Sequence, residues 1–156
     1  MKGQRQPAIL FVCMGNICRS PTVEAVARAE FARVGLDARV ASAGTEGYHV
    51  GERADRRAIA FAESHGYALS AHRARQVRPD DFEAFDLVLA MDQRNLRDLQ
   101  RFRTPRGATA PALFLGDAEV PDPYYGGDAD FLRVIDLARE GVAALAERLR
   151  SEQPEE

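Results

Sequence analysis

The apolar run Ala8-Ile9-Leu10-Phe11-Val12 leads into Cys13, and Cys13 and Arg19 enclose five residues just ahead of Ser20-Pro21. An unbroken apolar run reads as a strand buried on both faces, and Ser-Pro reads as the start of a helix. The chain must therefore pass from strand to helix within Met14-Gly15-Asn16-Ile17-Cys18. Such a loop can turn its amide N–H groups inward, and the following helix adds the positive end of its dipole, so the pair makes a seat for an anion. A cysteine in that field is expected to be a thiolate nucleophile at neutral pH rather than apolar filler.

Each residue of the loop suits this reading. Gly15 has no Cβ and accepts positive φ, and Asn16 is among the few other residues that tolerate the left-handed region. The planar fork of Arg19 can hold two phosphoryl oxygens at once, a geometry lysine lacks. Ser20 either caps the helix or donates its hydroxyl to the Cys13 sulfur, and Pro21 suits the first helical turn in both cases. Cys18 reads as a small packing residue.

Composition limits the molecule that carries the loop. With 156 residues, 46% hydrophobic and 29% charged, a single well-cored domain over 1–156 is expected, with 151–156 a polar tail. A net charge of −3 with 21 basic residues argues against general nucleic-acid binding. No long apolar or signal-like segment is evident, so a cytoplasmic protein without a membrane partner is expected. The cysteines do not resemble a secreted disulfide framework. His49, His65 and His72 have no metal-ligand spacing, and neither metal nor cofactor is expected.

Strand-like runs alternate with helical ones, the pattern of parallel βαβ units. Strands are predicted over 8–12, 39–44, 85–91 and 112–115. Helices are predicted from Ser20 to about Val34, over 55–65, and from Asp92 to near Phe102. In the last helix Leu132, Ile135, Ala138, Val142, Leu145 and Leu149 form the apolar stripe. Gly35 and Gly66 end the first two helices. The fold class is α/β: a doubly wound four-stranded parallel sheet, order 2-1-3-4, with helices on both faces and ligands beyond the carboxyl ends of the strands. Val120-Pro121-Asp122-Pro123-Tyr124-Tyr125 follows the fourth strand on that same edge. Asp122 is thereby placed to protonate a leaving oxygen and later to activate water, while the tyrosines offer flat walls.

The segment from Ile9 to Pro21, taken with Asp122-Pro123-Tyr124-Tyr125, resembles the low-molecular-weight protein tyrosine phosphatases. Ser42-Ala43-Gly44-Thr45, His72-Arg73-Ala74-Arg75-Gln76 and Met91-Asp92 with Asn95-Leu96 are similar to that family's intervening segments, in the same order. The resemblance implies metal-free hydrolysis of phosphotyrosine and small aryl phosphates through a cysteinyl-phosphate. Cys13 would be the nucleophile and Arg19 the phosphate-binding cation. Asp122 would be the acid and then the base, and the loop Met14, Gly15, Asn16, Ile17 and Cys18 would hold phosphate or a similar oxyanion. It also implies a network of Asn16, Ser20, Ser42 and His72 that supports the loop, and a cleft rimmed by Tyr48, Tyr124 and Tyr125. Cys18 then has a second reading, a resolving thiol that pairs with Cys13 under oxidation.

His49 and Glu46 are expected to tune which peptide binds. Gly51-Glu52-Arg53-Ala54-Asp55 stands where the family often carries a proline. The expected partner is a tyrosine-phosphorylated protein, a tyrosine kinase among the candidates. Two alternatives remain: an arsenate reductase of the same fold, which needs relay cysteines that do not occur after Cys18, and a phosphotyrosine-binding module without turnover.

Overall fold

The computed structural model describes residues 6–152. β1 (Ala8–Cys13), β2 (Arg39–Gly44), β3 (Leu87–Ala90) and β4 (Ala112–Leu113) form one parallel sheet in the order β2-β1-β3-β4. The period of two along β1 explains its unbroken apolar character. Ile9, Phe11 and Cys13 enter one core, whereas Ala8, Leu10 and Val12 enter the other. Removing a side chain such as Phe11 from water contributes about 1.5–3 kcal/mol, and its ring meets Phe114 edge to face at 5.6 Å.

Helices α1 (Arg19–Arg33), α2 (Arg56–Ser64) and α5 (Asp128–Glu152) cover the first face through Val23, Val26, Ala62, Ile135 and Val142. The second face is covered by α3 (Asp81–Ala84) and α4 (Gln93–Leu99), which supply Phe82 and Leu99. The ends of α1 and α2 follow the glycine prediction. Leu36 N–H donates to Phe31 O and Gly35 N–H to Ala32 O, with Gly35 at φ 74°, and Gly66 at φ 90° closes α2 through the equivalent pair.

Several boundaries differ from the sequence reading. β4 is two residues long because the chain turns at Gly116. α4 stops at Leu99, and the short α3 carried no periodic signal. α5 begins at Asp128, since a first turn with Asp128 and Asp130 is favoured by the dipole but lacks an apolar stripe. Leu132 is exposed, and Phe131 and Val134 take its place in the core. The helix continues through Ser151 and Glu152 of the expected tail, whose remaining residues, 153–156, lie outside the described residues. No helix among the described residues is long and apolar enough to cross a membrane.

Candidate active site

Strand order reverses at β1, which has β2 on one side and β3 on the other, and Cys13 ends that strand at the carboxyl edge. The loop after it is held from behind. Thr45 N–H donates to Cys13 O (3.0 Å), Glu46 N–H to Met14 O (2.9 Å) and Asp55 N–H to Ile17 O (2.7 Å). At Gly44 a Cβ would lie 2.6 Å from Met14 O, so the end of β2 packs backbone against backbone under the loop. The segment 51–55 needs no proline to hold its course: Gly51 N–H donates to Ala74 O and Ala74 N–H to Glu52 O, each at 2.8 Å.

Asn16 is fully buried and, among the described residues, is the one non-glycine with positive φ, at 59°. Such a conformation costs on the order of 1–3 kcal/mol, offset here by hydrogen bonds from every polar group of the residue. Its Oδ1 accepts from Arg75 N–H (2.9 Å), which orients the amide. Nδ2 then donates to Ser20 Oγ (2.9 Å) and Ser42 Oγ (3.0 Å). Its carbonyl accepts from His72 Nε2 (2.7 Å), and its N–H donates to Cys13 Sγ (3.3 Å).

The directions run one way. A carboxylate only accepts, so Ser42 gives its proton to Glu24 Oε1 at 2.6 Å and receives from Asn16. Ser20 likewise receives from Asn16, which leaves its own proton for Cys13 Sγ at 3.0 Å, a closer acceptor than Ala43 O at 3.5 Å. That decides the role of Ser20. The residue preceding α1 is Cys18, without a side-chain cap.

Arg19 is buried against the floor. Nη1 donates to Asp92 Oδ2 (2.7 Å) and Val120 O (3.1 Å), and Nη2 lies 3.8 Å from Asp122 Oδ2. Burial works against its charge, but the Cys13 sulfur, the hydrogen-bonded Asp92 and Asp122 outweigh it and raise its hold on the proton above the ordinary arginine range. Asp92 was legible only as part of a resembling segment and had no assigned role. Its Oδ1 caps α4 through Asn95 N–H (2.7 Å) while Oδ2 braces Arg19. Glu24 was likewise missed.

A pocket of about 280 Å³ stands over the sulfur. Cys13, Met14, Gly15, Ile17, Cys18 and Arg19 form its base, and Tyr48, His49, Asp122, Tyr124 and Tyr125 its walls. Asn16, Ser20, Ser42 and His72 stand behind it as support. Asp122 keeps a half-exposed side chain whose Oδ1 accepts from Tyr124 N–H (3.1 Å). The Tyr124 and Tyr125 rings meet edge to face at 4.9 Å. His49 lies beside Gly15, and its Nδ1 donates to Glu52 Oε1 at 2.9 Å.

Cys18 is a free thiol buried in the larger core, where burial first, then the neighbouring Cys13 sulfur and the Asp55 and Asp122 carboxylates, push it far above the usual thiol range. A groove of about 810 Å³ between the end of α1 and α5, crossed by the Glu30–Tyr67–Arg139 hydrogen bonds, is lined by no cysteine, serine, threonine or histidine. Volume therefore does not identify the site. Among the described residues no cluster of histidine, cysteine or carboxylate side chains is arranged to hold a metal ion.

A cysteine at the mouth of a tight loop, a braced arginine and a facing carboxyl group fit a phosphomonoester-hydrolase type of site. The family model described as low molecular weight phosphotyrosine protein phosphatase matches residues 8–155. The low molecular weight protein-tyrosine-phosphatase of Streptomyces coelicolor is 45% identical over 150 residues, covering 87% of this chain and 91% of its own. Among solved structures, a protein tyrosine phosphatase from Entamoeba histolytica with Hepes in its active site superposes with a TM-score of 0.88 at 36% identity, covering 94% of this chain and 98% of its own. Wzb of Vibrio vulnificus in complex with benzylphosphonate gives 0.82 at 28%, covering 92% and 99%. The chain belongs to the low molecular weight phosphotyrosine protein phosphatases, and so to the protein tyrosine phosphatase class of hydrolases.

Proposed function

We propose that the chain hydrolyses phosphotyrosine in two steps, with Cys13, Arg19 and Asp122 in the roles given to them by the sequence. The observation that carries this reading is the setting of Cys13 Sγ. It accepts from Asn16 N–H, faces a hydroxyl proton on Ser20 and shares one pocket with Arg19 and Asp122. In the first step the sulfur attacks phosphorus, the bond to the phenolic oxygen breaks, and Asp122 delivers a proton to that oxygen. In the second, the Asp122 carboxylate takes a proton from water, whose oxygen attacks the cysteinyl-phosphate. Inorganic phosphate leaves and the thiolate is restored. Arg19 and the amides of residues 14–18 hold the phosphoryl oxygens, where charge builds.

Depth gives the selectivity. The walls raised by Tyr48, Tyr124 and Tyr125 suit an aromatic ester long enough to carry its phosphate to the sulfur, which phosphoserine is not. The same proposal covers one phosphatase domain over 1–156, a cytoplasmic setting, a tyrosine-phosphorylated protein partner such as a tyrosine kinase, and free phosphate or a like oxyanion in the loop. The benzylphosphonate seen in Wzb supports the anion and aryl parts of this reading. Arsenate reduction has no relay here, since no cysteine occurs after Cys18; Cys18 lines the pocket with Cys13 and keeps both its readings, packing residue and resolving thiol.

The experiment is hydrolysis of a series of aryl phosphates by Asp122→Ala. We expect kcat/KM to fall by about 10²–10⁴-fold for poor leaving groups and much less for p-nitrophenyl phosphate. An equal loss across the series would remove Asp122 as the acid.

A further inference from the structure

Asp122 sits on a segment with few attachments of its own. Val120 anchors the start, donating to Met91 O (2.8 Å) and accepting from Arg19 Nη1 (3.1 Å). Beyond it, Pro121 and Pro123 have no N–H to give, and the bonds within the segment are local: Tyr124 N–H to Asp122 Oδ1 (3.1 Å) and Gly126 N–H to Pro123 O (2.8 Å). The far half is reached from outside by Arg57, in the first turn of α2. Its Nη2 donates to Tyr124 O (2.7 Å) and its Nη1 to Gly126 O (3.3 Å). The same guanidinium lies over the Phe131 ring at 4.6 Å.

Asp55 completes the connection. Its Oδ1 lies 3.6 Å from Arg57 Nε and caps α2 through Arg57 N–H and Ala58 N–H, while its own N–H donates to Ile17 O in the phosphate loop at 2.7 Å. The path from the nucleophile's loop to the carboxyl segment thus runs through the backbone N–H and side chain of Asp55 and the side chain of Arg57.

We propose that Arg57 is a positioning residue that holds the Asp122 segment at its working distance from Cys13. This rests on the reading of Asp122 as the acid. A planar fork can bond two carbonyls while stacking on a ring, which an ammonium cannot. Its side chain is 44% exposed, and Phe61 stacks on Phe131 without it at 5.8 Å, so its loss leaves the core between α2 and α5 in place.

The test is a double-mutant cycle with the full chain, read as kcat/KM on aryl phosphates of good and poor leaving groups, inhibition by inorganic phosphate, and Tm. Because misplacing a reacting group by about 1 Å costs up to roughly a hundredfold, Arg57→Ala should lose about ten- to a hundredfold on poor leaving groups. Phosphate inhibition should stay unchanged, Arg57→Lys should fall between, and Arg57→Ala should cause no further loss in the Asp122→Ala background. Equal losses in both backgrounds, weakened phosphate inhibition, or full activity would overturn the assignment. If Asp122→Ala itself lacked leaving-group dependence, the acid reading beneath it would fail instead.

Discussion

Cys13→Ser is expected to abolish turnover of aryl phosphates, by more than about 10⁴-fold, while inorganic phosphate and a non-hydrolysable aryl phosphonate should still bind in calorimetry. The loss follows from chemistry rather than packing. A serine hydroxyl has no free base to take its proton: Ser20 directs a proton toward position 13, Asn16 N–H points there too, His72 is committed to the Asn16 carbonyl, and Asp122 holds the proton meant for the leaving oxygen in this step. Surroundings built to donate favour a sulfur anion and leave a neutral alcohol unactivated. Binding survives because the amides, the dipole of α1 and Arg19 are untouched. Four decades correspond to about 5.5 kcal/mol in the barrier. Wild-type rates in this variant would place the nucleophile elsewhere.

For Arg19→Lys we expect the second large effect, a loss on the order of 10²–10³-fold in kcat/KM with a smaller change in phosphate inhibition. Arg19 performs several tasks in one plane. Nη1 joins Asp92 Oδ2 and Val120 O, anchoring α4 and the start of the Asp122 segment, while Nη2 lies toward the pocket and Asp122. An ammonium on a flexible stem can meet Asp92 or the phosphoryl oxygens, not both with bidentate geometry. The charge is kept and the alignment lost, so the transition state suffers more than the bound anion. Steady-state kinetics beside phosphate inhibition separate the two, and parallel losses would make Arg19 a simple counter-charge.

What could be read in the sequence was local. Cys13, Arg19 and the tight loop between them follow from a strand, a glycine, an asparagine and a helix start within a few residues. Alternating strand-like and helical runs pointed to a parallel sheet, but not by themselves to the order of its strands. Asp92 could not be placed this way, because its bond to Arg19 spans 73 residues and exists only once β3 lies beside β1. The same holds for Glu24, which reaches Ser42 from α1, and for Arg57, whose partners are the carbonyls of Tyr124 and Gly126. Carbonyl acceptors leave no mark on residue identity. The fourth strand ended short of its expected length where a glycine turn, rather than periodicity, set the boundary, at Gly116.

A trapped intermediate tests the central claim most directly. Asp122→Ala, mixed with an aryl phosphate and quenched in acid within the first turnovers, should yield one phosphoryl group on the peptide containing Cys13 when mapped by mass. A phosphoryl group on another residue, or release of the phenol with none on the protein, would contradict it.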